Sequence, residues 1–383
     1  MLMIKRATAL TVLALLPATF ASCASPEVIG DVIESEEGDL RLVKVIEGLS
    51  HPWGLAFLPD DRLLVTERPG RLQIVAGGEM TEVSGLPDIT SMGQGGLMDV
   101  VPHPNYEDNG WIYLTYAATY DDGVGTRLGR GRLEGNSLVD FEQLFQMDPP
   151  GSTRRGVHFG SRVIFDNDGY LFMSIGERGD RNRSQQLDSH HGTTIRLHDD
   201  GRVPTDNPFV DREDAKPEIW SYGHRNAQGM AYDPENNRIW QNEHGPRGGD
   251  KLTLIIRGAN YGWPLATYGE EYRGGTIGVD PGDFAEAVYP VHDWTPSIAV
   301  SGLAFYDGDK FPGWRGNLFN GALRQEHIAR LVLDGEKVVH EERLLRNAVG
   351  RIRDVRSGPD GHLWFLTDEP NGGIYRLEPA AER

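Results

Sequence analysis

Residues 161–177 read SRVIFDNDGYLFMSIGE: a short apolar run, a turn built from Asp, Asn and Gly, and a second apolar run. Aliphatic, β-branched and aromatic residues on either side of an Asp-Gly turn predict a β-hairpin. The same order recurs along the chain. A small residue, an alternating strand, a turn and a second strand appear in WGLAFLPDDRLLVTE (53–67), GGLMDVVPHPNYEDNGWIYLTY (95–116) and QGMAYDPENNRIWQNE (228–243). Two further copies are SGLAFYDGDKFPGWRGNLFNG (301–321) and RIRDVRSGPDGHLWFLTDE (351–369). Six copies, spaced roughly 40 to 75 residues apart, suit four-stranded propeller blades with unequal insertions. The expectation is an all-β chain, a six-bladed β-propeller with four-stranded antiparallel blades over residues 41–378 and a short tail at 379–383. A β-sandwich with coincidental hairpins is the competing reading.

Composition narrows the function classes. Gly contributes 48 of 383 residues and Pro 23, which disfavours helix bundles and favours many tight turns. Acidic side chains number 57 against 38 basic ones, giving a formal charge of −19. That balance repels a phosphate backbone, and no basic run offsets it, so nucleic acid is excluded as an expected partner. A single Cys leaves no intramolecular disulfide framework and no Cys-based zinc cluster.

Residues 1–24 differ in kind from the rest. Lys5 and Arg6 precede the apolar run ATALTVLALLPATFA, too short to cross a bilayer comfortably and followed by small residues, which reads as an export signal. Cys23 directly follows FAS, close to where a bacterial lipoprotein signal places the Cys that becomes acylated, although Phe20 stands where Leu is usual. Two fates fit: a lipid anchor on Cys23, or cleavage after Ala24 to a soluble periplasmic or extracellular form. Labelling with a radioactive fatty acid separates them. The next stretch, residues 25–40, is acidic and poor in large apolar groups and reads as a solvated tether.

The repeat also indicates where chemistry could sit. In each copy the first strand leaves one face of the disc and the second returns to it. Residues just before the first strand and just after the second therefore share a face around the central channel. Before first strands stand Gln94, His158, the group Arg225, Asn226 and Gln228, and Arg351 with Arg353; after second strands come Glu67, Glu177, the EHGP of residues 243–246, Arg324, and Asp368 with Glu369. Such convergence makes a concave, polar-lined ligand site. Four basic side chains, Arg225, Arg324, Arg351 and Arg353, aimed at one mouth suit an anionic ligand with several carboxylates. His158 is a candidate general base. The Gly245 and Pro246 carbonyls lie in a turn without a strand partner and could serve a hard cation such as Ca²⁺, although a Gly-Pro turn alone commonly means only a turn. His190, His191 and His198 sit close together in a polar insertion and read as loop residues, because no carboxylate spacing completes a zinc site.

Taken together, the strings HFGSRVIF, GERGDRN, YGHRNAQG, EHGP, GANYGWP, NLFNGALR and RIRDV resemble the soluble pyrroloquinoline quinone (PQQ)-dependent glucose and aldose sugar dehydrogenases, the glucose/sorbosone dehydrogenase family. The resemblance runs from about residue 40 to 378 and is closer to the bacterial aldose sugar dehydrogenases with few insertions. It implies that His158 is the catalytic base and that Arg225 and Asn226 lie against the quinone. It further implies that Arg324, Arg351 and Arg353 hold the cofactor carboxylates, that Gly245 and Pro246 offer carbonyls to Ca²⁺, and that Gln94 stands near the substrate. The implied activity is oxidation of aldose sugars at C1 to lactones, with an external electron acceptor reoxidising the cofactor. This chain departs from the glucose-specific members in three ways. Arg324 stands in place of Lys, Lys251 in place of a carboxylate beside Asp250, and His244 in place of an amide. Two readings from other classes remain at this level: a Ca²⁺-dependent propeller lactonase, and a propeller binding module without catalysis.

Overall fold

The six hairpins read from the sequence are the six innermost strand pairs of a closed ring. In the computed structural model, which describes residues 26–380, Pro52–Phe57 pairs with Leu63–Glu67, Leu97–Pro102 with Trp111–Thr119, and Gly160–Phe165 with Leu171–Ile175. Ala227–Asp233 pairs with Arg238–Glu243, Val300–Phe305 with Leu318–Ala322, and Ile352–Ser357 with Leu363–Thr367. All are antiparallel. Five sheets have four strands, and neighbouring inner strands touch around the ring until the sixth meets the first. Residues 1–25, with the expected leader and Cys23, lie outside the described residues.

Burial explains why these segments are apolar. The second strands of blades one, three, five and six are buried along their whole length, because each sheet is covered on both faces by its neighbours. Phe319 and Ile328 of blade five pack against Ile352 and Phe365 of blade six, and Leu366 of blade six against Leu55 and Val65 of blade one. Outer strands need no such composition: Glu79–Glu82 is exposed throughout. The turns between inner strands carry left-handed backbone at Asp61, Gly169, Asn237 and Gly361, the residue types that tolerate it. The small residue that opens the repeat has a packing cause. A Cβ at Gly229 would stand 2.3 Å from the Ser301 carbonyl oxygen, and one at Gly302 2.3 Å from an Asp354 carboxylate oxygen.

Blade six closes the ring by joining both ends of the chain. Gly372–Pro379 pairs with Leu40–Leu49, so the first long strand completes the last sheet. A fifth strand, Glu27–Ile33, then adds to Leu40–Leu49. The expectation of a solvated tether over residues 25–40 is corrected here. An edge strand needs only one pairing partner and one apolar face, and Ile29 and Ile33 supply that face against the blade five and six core while the acidic groups point outward. Glu36 is likewise engaged: it receives a hydrogen bond from Arg330, which is 2 % exposed, at 2.9 Å, and lies 2.7 Å from His340.

At the ring's centre lies a buried ionic cluster. Arg162, 1 % exposed, donates through Nη1 to Asp99 Oδ1 at 3.0 Å, lies 3.2 Å from Asp354 Oδ1, and donates through Nε to the Gln228 carbonyl at 3.0 Å. Asp99 also accepts from the Val163 amide at 2.9 Å, and Asp354 from the Leu55 amide at 3.0 Å. Inner strands of blades one, two, three, four and six are tied by this one set. Arg162→Met should lower stability by about 3 kcal/mol, since two buried carboxylates lose one of their two cations and keep only Arg356, 3.3 Å from Asp99 and 3.1 Å from Asp354. The half-buried Arg62 at the surface, 2.8 Å from the exposed Asp60, should cost under about 1 kcal/mol when replaced. Urea midpoints of the two variants check the contrast, and equal midpoints would refute it.

Candidate active site

The loops at the mouth of the channel bring together residues from blades two, three, four and six. His158 enters the inner strand of blade three with φ of +52°. A Cβ at Gly176 would stand 2.1 Å from the His158 carbonyl oxygen, so this unusual backbone fits only against glycine. The His158 amide donates to Gln94 Oε1 at 2.8 Å, and the Gly160 amide to Asn226 Oδ1 at 3.1 Å. These contacts place Gln94, His158 and Asn226 in one patch. His158 Nδ1 lies 2.5 Å from Glu177 Oε2. With the Nδ1 proton committed to that carboxylate, Nε2 carries the free lone pair. Burial pushes the His158 pKa below its ordinary value, and Glu177 only partly counters it. The ring is therefore a neutral base at pH 7.

Three of the four predicted arginines join this patch. Arg225 donates its amide to Glu243 at 2.9 Å and its Nη1 to the His244 carbonyl at 3.2 Å, and its guanidinium stands 5.3 Å from the Trp263 ring centre. Arg353 donates to Asp368 at 2.5 Å and to Gln228 Oε1 at 3.0 Å. Arg351 donates to the Leu323 carbonyl at 3.2 Å, with its second nitrogen 3.7 Å from Asp368. Burial alone would raise the Asp368 pKa, but Arg353, Arg68 and His51 hold it well below the carboxylate range. Arg324 stands apart. Its side chain is exposed, and among the described residues it forms no ion pair, although Leu323 beside it lines the cavity.

The cavity has a volume of about 120 Å³ and is bordered by Gln94, Asn226, Gln228, Arg351 and Arg353, with Trp53 and Phe159 as apolar walls. Arg353 Nε, on a residue bordering the cavity, and Arg225 Nε, on the residue next to the bordering Asn226, are buried without a hydrogen-bond partner. Unpaired buried guanidinium donors beside carboxamides form a donor set suited to a carboxylate-bearing, planar ligand such as PQQ.

The Gly245-Pro246 turn is pinned rather than ringed by acids. Asp250 accepts from the Gly245 amide at 2.8 Å, from the Ser297 hydroxyl at 2.7 Å and from the Ala299 amide at 2.6 Å, so its oxygens fasten the turn to blade five. Lys251 bonds Glu243 at 2.7 Å and the Tyr261 carbonyl at 2.8 Å, and His244 Nε2 donates to the Val300 carbonyl at 2.5 Å. Both departures from the glucose-specific pattern thus have structural partners here. Burial works against the Glu243 charge, yet Lys251 and His224 hold its pKa at about 2. Among the described residues no group of three or more His, Cys, Asp or Glu could hold a metal. The Gly245 and Pro246 carbonyls accept no hydrogen bond from the described residues, which leaves them as the oxygen ligands on offer to a hard cation.

Glu177 and Asp368 were visible as acidic residues after second strands, but sequence alone gave neither a partner. Their roles depend on which loop stands across the mouth. His190 and His191, read as loop residues, do lie in the turn before Thr193–Leu197, where they are buried and hydrogen-bonded, His190 receiving the Asp148 amide at 2.9 Å.

Comparison with known proteins agrees with this geometry. The glucose/sorbosone dehydrogenase pattern matches residues 49–376. The aldose sugar dehydrogenase YliI of Escherichia coli (strain K12) is 46% identical over 338 residues, covering 86% of this chain and 91% of that protein. The crystal structure of the soluble aldose sugar dehydrogenase from Escherichia coli in the apo-form matches with a TM-score of 0.85 and 43% identity, over 89% of this chain and 100% of that one. The PQQ-bound form of an aldose sugar dehydrogenase from Streptomyces coelicolor matches with a TM-score of 0.74 and 27% identity, over 92% and 100%.

The His158–Glu177 pair makes a signed prediction. Glu177 raises the His158 pKa, so Glu177→Gln should lower it further and free the ring to change tautomer. NMR titration of the imidazole reads this directly, and an unchanged or raised titration would contradict the pairing.

Proposed function

The chain belongs to the glucose/sorbosone dehydrogenase family, and from that premise we propose that it is a PQQ-dependent aldose sugar dehydrogenase that oxidises its substrate at C1 to the lactone. The observation that carries this reading is a neutral His158, oriented by Glu177, in the same patch as buried guanidinium donors without partners. When bound, PQQ would supply the hydride acceptor and Ca²⁺ the Lewis acid that polarises it.

Each residue at the mouth then has a task. Arg351 and Arg353 would hold cofactor carboxylates, with Arg324 as an outer contact at the rim. Asp368 keeps Arg353 aimed while Gln228 takes its other nitrogen. Arg225 and Asn226 would face the quinone oxygens, where a fixed cation stabilises developing negative charge. Gly245 and Pro246 would present carbonyls to Ca²⁺, with water and cofactor oxygens completing a shell that has no protein carboxylate to spare. His158 Nε2 would take the proton of the anomeric hydroxyl, and Gln94, bonded to the His158 amide, would orient the sugar. An external acceptor would then remove the electrons. The leader read in residues 1–24 supports a site of action outside the cytoplasmic membrane.

Reconstituting the purified chain with PQQ and Ca²⁺ and adding an aldose tests the reading: bleaching of the cofactor spectrum supports it. Lactone loss without PQQ would instead mark a hydrolase, and neither change a binding module. His158→Ala should keep PQQ bound and slow cofactor reduction about 10²- to 10⁴-fold. An unchanged rate would reject the base. Arg351→Ala should weaken PQQ binding by about tenfold or more, the value of one charge-assisted hydrogen bond, and undiminished affinity in a fluorescence-quenching titration would reject the clamp.

A further inference from the structure

A second cavity, of about 540 Å³, opens beside segments 150–155 and 178–183 and shares no lining residue with the mouth. In a chain of formal charge −19, its border holds three arginines, Arg155, Arg178 and Arg183. Arg178 is 1 % exposed. Its Nη1 donates to the Val157 carbonyl and its Nη2 to the Arg155 and Val124 carbonyls at 3.1 and 3.3 Å, while the guanidinium stacks 3.5 Å from the Phe159 ring centre. Its Nε is buried with no partner. Burial lowers its pKa to about 10, which leaves it a cation at neutral pH.

His191 borders the same space and is 2 % exposed. Ser189 Oγ lies 2.8 Å from its Nδ1 and also accepts the His191 amide, which fixes the ring in the wall of the cavity. Burial and the nearby Arg183 and Arg178 push the ring pKa down to about 3, so it is neutral at pH 7. Two acceptors complete the border: Asp122, and Asp180, whose carboxylate pairs with Arg183 at 3.1 Å.

We propose that this cavity binds a small hydroxylated oxyanion, with its charged end on Arg155 and Arg183, the buried Arg178 cation adding positive potential behind them, and its hydroxyls on Asp122 and Asp180. Guanidinium donors in a recess recognise carboxylate or phosphate, whereas carboxylates recognise hydroxyl groups. A sugar acid supplies both features; free phosphate supplies the charge and, when protonated, a hydroxyl. The site stands independently of the redox reading, because it needs no cofactor.

Calorimetry of the purified chain with sodium gluconate and, separately, inorganic phosphate at fixed ionic strength tests the proposal. One-site saturable binding of either probe is expected, weakened at least tenfold by combining Arg155→Gln with Arg183→Gln. Both side chains are at least partly exposed, so the fold should persist. Combining Arg324→Gln with Arg351→Gln at the mouth should leave that binding in place. Preference for gluconate identifies a sugar-acid site, and equal or stronger phosphate binding a simple oxyanion site. No saturable binding of either probe, or binding lost in the mouth variant and kept in the cavity variant, would overturn it.

Discussion

One guanidinium, Arg162, buried on the axis of the ring and shared between Asp99 and Asp354, sets the geometry from which everything above it is built. The three charges come from blades three, two and six, with Arg356 of blade six as a second cation for both carboxylates, so the full set of pairs forms only when the ring has closed. Desolvating such a set is costly and recovered only when every partner is in place, which makes the cluster a condition on strand register more than a source of net stability. It also fixes the floor of the mouth. Arg162 holds the Gln228 carbonyl and stands 4.4 Å from the Trp53 ring centre, whose other neighbour, at 5.8 Å, is Arg353. The same two residues border the cavity in which the cofactor is proposed to sit.

The mouth repeats this logic with looser pairs. Asp368 is surrounded by Arg353, Arg351, Arg68 and His51, and the excess of cations over anions there leaves donors unfilled. In a chain that is acidic as a whole, a basic mouth can persist because buried and half-buried charges are screened less than those on the outer surface. Rigidity comes from glycine as much as from charge: the His158 backbone is held where Gly176 lets another strand pass within contact distance.

Much of this was legible in the chain itself. Six hairpins with Asp, Asn or Gly at their turns gave the blade count, because a strand covered on both faces must be apolar and its turn must accept left-handed backbone. The positions flanking those strands gave most of the mouth. Illegible parts were those decided by contacts between distant loops. Composition made residues 25–40 look solvated, yet Ile29 and Ile33 suffice for an edge strand and Glu36 answers the buried Arg330. Asp250 read as a carboxylate retained after the Gly-Pro turn and Lys251 as the replacement of another. One instead takes up hydrogen bonds from blade five and the other neutralises Glu243, roles that no local spacing reveals. Arg324 sits at the expected place in the repeat but is exposed and has no ion pair among the described residues, since a position after a second strand fixes the backbone and not the contacts of a long flexible side chain.

Blade six is the only sheet assembled from both extremities of the described chain, with Leu40–Leu49 seated against Gly372–Pro379. A ribosome delivers the former first and the latter last. The early strand therefore has only Glu27–Ile33 beside it and an open inner edge during almost the whole of synthesis, and any product cut short leaves that edge bare rather than forming a smaller working disc. Completion of the polypeptide and completion of its shape become one event, so partial molecules are marked for removal by their own exposed seams.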